Sequence, residues 1–295
     1  MNPLKLGTRG SRLARAQSQQ VADAITAATG RAVVLEIVST RGDRDRTRPL
    51  AELGGKGLFT FELEERLREG TLDLAVHSLK DLPTDDPDGL VVAAFPARED
   101  PRDAFVGPRV TDLPPGASVG SGSLRRRAQF AALRPDVSLA DIRGNVDTRI
   151  AKVDNGTFDG TILAMAGLNR LGIQRPDIRP FTVEQMVPAV GQGALGIQCR
   201  ANDTAVLAVL SVIDHAPTRI CVTAERAFLA AYGGGCNVPA ACFVQVDGAE
   251  LVGVAVAESA SGQLQRVEAR ADLRGEAAIE LGRFLAQRVR SSHDD

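Results

Sequence analysis

Tryptophan is absent and tyrosine occurs once, so aromatic residues make up only 4% of the 295-residue chain. That scarcity argues against a nucleic-acid platform on which bases stack. A net charge of -2 adds no general pull toward phosphate backbones or acidic lipid. The four cysteines (Cys199, Cys221, Cys236, Cys242) form no C-x-x-C pair. The three histidines (His77, His215, His293) are scattered, so no metal centre is expected. No apolar run is long enough to span a membrane, and the opening Met1-Asn2-Pro3-Leu4-Lys5-Leu6-Gly7 lacks the core of a signal peptide. A cytoplasmic protein with free thiols is the expectation. Lysine is also scarce: Lys5, Lys56, Lys80 and Lys152 are the only four among 35 basic residues. Arginine supplies the rest, a rigid and always-charged fork suited to carboxylates and phosphates.

What is present is an alternation of short apolar runs with amphipathic stretches, the signature of α/β architecture. Residues 4–8 read as a first strand and 12–29 as a helix, with Ser11 at its N-cap and Gly30 just past its end. Strands follow at 32–38, 72–76 and 90–95, with a helix at 59–69. The charged, proline-broken run Glu99-Asp100-Pro101-Arg102-Asp103 reads as a domain boundary. The alternation then restarts, with strands ending at Gly120, Asp141 and Ala164. A Gly-rich hinge, Ala189-Val190-Gly191-Gln192-Gly193, and a strand return the chain to the first lobe. Beyond it, a helix at 217–232, strands at 241–247, 250–257 and 264–271, and a helix at 275–290 make a small α+β domain. The domains expected are 1–96 with the return segment 194–214, then 97–193, then 215–295.

In open α/β sheets, ligands bind where loops leave the carboxyl ends of strands. In this chain those loops carry the cations. Arg9 and Ser11 follow the first strand, and Lys80-Asp81 follows the run Leu72-Asp73-Leu74-Ala75-Val76. Ser123, Arg125 and Arg126 open one helix of the second lobe, Arg143 and Arg149 flank the next turn, and Arg170 lies in a third. Cations are unfavourable at the positive end of a helix unless an anion is to sit there. A polyanion-binding cleft between two α/β lobes is therefore expected. Gly54-Gly55-Lys56-Gly57-Leu58-Phe59 is not a Walker loop, because Gly57 stands where Ser or Thr is required. It reads as a cover over a pocket, with Lys56 and Phe59 as its functional residues. Cys236 follows three glycines in a loop, a position suited to covalent attachment.

Seven motifs in this order resemble the porphobilinogen deaminase (hydroxymethylbilane synthase) family. They are Thr8-Arg9-Gly10-Ser11, Gly54-Gly55-Lys56-Gly57-Leu58-Phe59, Ala75-Val76-His77-Ser78-Leu79-Lys80-Asp81, Ser123-Leu124-Arg125-Arg126, Arg143-Gly144-Asn145, Ala189-Val190-Gly191-Gln192-Gly193 and Gly234-Gly235-Cys236. The resemblance implies two lobes like those of periplasmic binding proteins, plus the smaller C-terminal domain. It implies a transferase of haem and tetrapyrrole (porphyrin) biosynthesis, which joins four porphobilinogen molecules into a linear hydroxymethylbilane and releases ammonia. It implies a dipyrromethane cofactor held by a thioether to Cys236. By the same resemblance Lys80, Asp81, Ser123, Arg125, Arg126 and Arg149 contact the cofactor. Arg9, Ser11, Arg143, Arg149 and Arg170 face the substrate. Porphobilinogen is then the partner, with neither nucleic acid nor membrane, and a monomer is expected.

Asp81 becomes the expected catalytic residue, as a buried carboxylate facing cationic pyrrole intermediates. Departures from the family pattern are Asp147 in the Arg143–Arg149 turn, Gly122 where Ser or Thr is usual, and Asn237 after the cysteine. The alternative from another class is a non-catalytic, two-lobed anion-binding or sensor protein. It leaves Lys80-Asp81 and Cys236 without a role.

Overall fold

The computed structural model describes residues 2–40, 60–233, 238–259 and 261–291. In chain order the elements are β1 (Leu4–Arg9), α1 (Arg12–Thr29), β2 (Val33–Val38), α2 (Phe61–Arg68), β3 (Leu74–Ser78) and β4 (Leu90–Ala94). Then come β5 (Asp103–Val106), β6 (Ser118–Gly120), α3 (Leu124–Leu133), β7 (Ser138–Ala140), α4 (Val146–Asp154), β8 (Gly160–Ala164), α5 (Met165–Arg170) and β9 (Ile178–Pro180). The chain ends with β10 (Leu195–Arg200), α6 (Thr204–Ser211), α7 (Ala216–Tyr232), β11 (Ala240–Asp247), β12 (Glu250–Glu258), β13 (Leu264–Asp272) and α8 (Gly275–Ser291).

One compact unit comprises Met1–Arg98 and Ala194–Arg219. Its sheet has the order β2-β1-β3-β10-β4. β1 runs parallel to β2 and β3, and β10 is antiparallel to both β3 and β4. α1 forms where the sequence places it: Ser11 Oγ accepts the amide of Ala14, and Gly30 at φ 69° closes the last turn onto Thr26 O. Its buried stripe of Val21, Ala22 and Ile25 packs with Leu4, Leu6 and Leu74. Each such large side chain contributes about 2 kcal/mol of burial.

The other unit comprises Glu99–Gly193 and Ile220–Asp295. Its larger sheet has the order β7-β6-β8-β5-β9. Here β6 is parallel to β7 and β8, while β5 is antiparallel to β8 and β9. The two five-stranded sheets therefore share one topology, each with a single antiparallel strand second from an edge. In both, that strand is the first after the chain crosses from one unit to the other. Phe105 and Phe130 stack at 5.6 Å in the core of the second sheet, with Phe181 edge-on to Phe130.

The antiparallel sheet β11-β12-β13 and the helices α7 and α8 complete this unit. Gly282 permits the close approach of the two helices, since a Cβ there would lie 2.1 Å from Ala224 O. Cys221 and Cys242 are buried in this core with Phe228 and Leu285, as small apolar groups. The sequence reading divides this unit at residue 215, whereas contacts group its C-terminal part with residues 99–193. Among the described residues no single helix is long and apolar enough to cross a membrane.

Candidate active site

In the first unit the functional side chains leave adjacent parallel strands. β1 ends at Arg9, and Ser11 caps α1. Thr8 is buried and donates its hydroxyl to Ala14 O at 3.1 Å, which fixes the turn between them. β3 ends at Ser78, two residues later than the sequence reading places it, and Leu79–Asp81 forms a single 3₁₀ turn. That turn is anchored at both sides: Leu79 donates to Ala194 O, Leu82 donates to Leu79 O, and both leucines are buried. The residues between them are left outward, Lys80 half-buried and Asp81 exposed. The expectation of a buried Asp81 is therefore corrected: among the described residues the two leucines that flank the turn pack inward, and the carboxylate between them is exposed. Buried just before the turn is His77, whose Nε2 lies 3.1 Å from Gln198 Oε1. Burial pushes the imidazole pKa down to about 4, helped by the Arg9 charge and opposed by the Gln198 bond. It is neutral at ordinary pH.

In the second unit the loops after three neighbouring parallel strands carry the arginines: Ser123 to Arg126 after β6, Arg143 and Arg149 after β7, and Arg170 after β8. Ser123 caps α3 through Arg126 N at 3.4 Å. Arg125 and Arg126 are not free in solvent, since they are only 5% and 6% exposed. Both converge on Asp103, which is wholly buried. Arg125 Nη1 donates to Asp103 Oδ2 at 2.7 Å and to Val187 O at 2.7 Å. Arg126 Nε donates to Asp103 Oδ1 at 2.9 Å, and its Nη1 reaches Ile162 O at 2.9 Å. Gln192 Nε2 completes the group, at 2.9 Å from Asp103 Oδ1 and 2.7 Å from Pro101 O. Burial alone would raise the Asp103 pKa, but the two guanidinium charges and the bonds from Arg125 and Gln192 hold it well below the usual carboxylate range.

The remaining arginines are held less deeply. Arg149 Nε donates to Gly144 O at 2.8 Å, and its pKa is lowered by burial and the nearby Arg126 charge, against the pull of Asp141. Arg170 is tied to Gly193 O at 2.8 Å and is likewise lowered by burial, with Glu99 opposing. Arg143 is exposed and pairs with Asp141 at 3.1 Å. Cys236, Lys56 and Phe59 lie outside the described residues.

Three residues of this arrangement escaped the sequence reading. Asp103 belongs to a charged run that looks like surface. Gln192 was visible only as part of a glycine hinge. Glu225 sits on α7 and is buried, accepting the amides of Gly191 at 2.7 Å and Val244 at 2.9 Å. Gly193, at φ 87°, passes so close to Glu99 O that an added Cβ would lie 2.4 Å from it. The hinge is thus a fitted crossing, bonded on one side to Asp103 and on the other to α7.

Residues 4–208 match the family described as "Porphobilinogen deaminase, dipyromethane cofactor binding domain", and residues 219–291 match "Porphobilinogen deaminase, C-terminal domain". The chain belongs to the porphobilinogen deaminase family. It is 46% identical over 269 residues to the porphobilinogen deaminase of Roseiflexus castenholzii (strain DSM 13941 / HLO8), covering 90% of this chain and 89% of that protein. It is 47% identical over 256 residues to that of Paracoccus denitrificans (strain Pd 1222), covering 85% and 82%. The family's first domain is named for the dipyrromethane cofactor it binds, and the matched residues include the guanidinium-rich strand ends.

Proposed function

We propose that the strand-end side chains of both units bind pyrrole carboxylates and that Asp81 is the catalytic carboxylate of a hydroxymethylbilane synthase. The enzyme is a transferase of tetrapyrrole biosynthesis. It condenses four porphobilinogen molecules head to tail, loses one ammonia at each addition, and releases the linear hydroxymethylbilane. The observation that carries the binding role is the charge balance around Asp103. One buried carboxylate answers two buried guanidiniums, with Arg149 close enough to feel Arg126. The surplus is positive, and such a donor set fits a group bearing several carboxylates.

In this reading Lys80, Ser123, Arg125, Arg126 and Arg149 hold the carboxylates of a dipyrromethane attached to Cys236. When bound, that cofactor supplies the electron-rich pyrrole carbon to which the first substrate ring is joined. Arg9, Ser11, Arg143, Arg149 and Arg170 orient the acetate and propionate groups of incoming porphobilinogen. Loss of ammonia from the substrate leaves an electron-poor methylene-pyrrole cation, and coupling leaves a second cationic ring until a proton departs. A carboxylate about 4 Å from such a charge contributes about 4 kcal/mol at an effective dielectric constant near 20. Asp81 is exposed on an anchored turn, where a pyrrole N–H can reach it. Lys80 beside it is a compact cation suited to a neighbouring carboxylate.

Residues 215–295 then form the attachment domain, and the protein acts as a cytoplasmic monomer with no nucleic-acid or membrane partner. The net charge of -2 and the lack of tryptophan support the last point. Incubation with porphobilinogen tests the reading: wild-type protein should gain the mass of two linked pyrrole units and release ammonia, while Cys236→Ser should gain none. A wild-type chain that stays unmodified and releases no ammonia would overturn it. Size-exclusion chromatography with light scattering checks the monomer.

A further inference from the structure

We propose that Asp103 is a positioning residue: the internal counter-ion that sets how much positive charge Arg125 and Arg126 present to a ligand carboxylate, and in what geometry. The inference rests on the anion-binding role assigned above to those arginines. Its first support is an internal control. In the first sheet Gly7 pairs with Ala75 and Leu195 with Ser78; in the second Gly120 pairs with Thr161 and Asp103 with Ala164. Both pairings give the same alignment of the two sheets, and it places Asp103 on Leu195. Each is buried. The scaffold accepts leucine at this place, so the fold as such does not require a carboxylate there.

What differs is the company. The two Asp103 oxygens are divided, Oδ2 to Arg125 and Oδ1 to Arg126 and Gln192. Among the described residues the side-chain hydrogen bonds of Arg125 run through Nη1, to Asp103 and Val187 O, which leaves Nε and Nη2 for a ligand. Counted over Asp103, Arg125 and Arg126 alone, the positive charges exceed the negative by one, and the guanidiniums are held in one orientation. With Asp103 neutral, two buried cations would attract any small anion. With Asp103 present and Arg125 neutral, the surplus would vanish.

The test compares wild type with Asp103→Asn, Arg125→Gln and the double variant. The readouts are cofactor occupancy by intact mass and the chloride dependence of the porphobilinogen KM. Asp103→Asn should make KM rise about tenfold with added chloride where wild type changes about twofold, because the uncompensated pair takes up the competing ion. Arg125→Gln should lose occupancy, and the double variant should regain part of it. A double variant worse than both singles, with wild-type chloride dependence in Asp103→Asn, would show that Asp103 serves the fold alone. If Asp103→Asn fails to fold, the comparison of Arg125→Gln with the double variant decides by its sign. If wild type carries no adduct and turns over nothing, the functional reading fails separately. The sulfate-induced rise in Tm then decides on the same cofactor-free proteins. Asp103→Asn should rise most and Arg125→Gln least, and equal rises would overturn the proposal.

Discussion

The two five-stranded sheets are the same scaffold used in two ways. Aligned by register, three buried polar groups of one sheet or the other fall where its counterpart is apolar. The first sheet buries His77 and Gln198, whose counterparts in the second are Leu163 and Val106. The second buries Asp103, whose counterpart in the first is Leu195. The first unit leaves Asp81, the proposed catalytic carboxylate, exposed on a turn, and buries the neutral His77 ring and the Gln198 amide close by. The second buries its carboxylate and spends it on arginines. On the proposed function, a strand end that meets a transient cation needs a reachable anion, and one that holds permanent carboxylates needs cations fixed in place by a buried partner.

Exchanging the two solutions should have the largest effect. Leu195→Asp would place a carboxylate at the Asp103 position of a sheet without the matching arginines, and should cost about 4 kcal/mol or prevent folding. Urea unfolding measures it, and a loss below about 1 kcal/mol would mean that the equivalence of the two positions has no energetic content. Next comes Asp81→Asn, which should lower kcat about 10²- to 10³-fold while Tm and the cofactor mass stay those of wild type. The exposed turn predicts that separation of rate from stability. Ordinary turnover in this variant would remove Asp81 from the chemistry.

The strand-end loops of both units could be read from the sequence because their signals are local. Ser11 and Gly30 bound α1, Ser123 opens α3, and arginines recur just after apolar runs. The helix Thr204–Ser211 and the three-residue edge strand Ile178–Pro180 were not read, the strand because it is too short to show a period. Asp103 was missed for a deeper reason. Its run of charges looks solvated, and only tertiary pairing with Arg125 and Arg126, 22 and 23 residues ahead, makes burial affordable. The exposure of Asp81 likewise depends on Ala194, far along the chain, anchoring Leu79.

A smaller effect separates the sheets by pH. His77 has a pKa of about 4 in the folded chain against an ordinary 6.5, so between these values the unfolded chain takes up the proton first. Stability should fall as pH drops from about 6.5 to about 4, by about 2–4 kcal/mol in all. Asp103 acts lower: its depressed pKa gives stability that is complete above the unfolded-state value and lost below it. Unfolding of His77→Gln at pH 7 and pH 4.5 should show a flatter dependence than wild type. An unchanged slope would assign the loss to other groups.

The smallest effect tests whether burial is what gives Asp103 its weight. Asp141 is also a counter-ion to a site arginine of the second unit, pairing with Arg143 at 3.1 Å, but both side chains are about half exposed. Such a pair contributes little to stability. Asp141→Asn should therefore change unfolding free energy by less than about 0.5 kcal/mol. It should also lower the porphobilinogen KM slightly, about twofold, because Arg143 no longer divides its charge between Asp141 and the substrate. Gly122 belongs to the same contact, since a Cβ there would lie 2.9 Å from Asp141 Oδ1. A serine or threonine there would thus push Asp141 from its place, and Gly122→Ser should shift KM in the same direction as Asp141→Asn. If Asp141→Asn instead costs as much stability as Asp103→Asn, or raises KM tenfold, exposure is not what distinguishes the two aspartates.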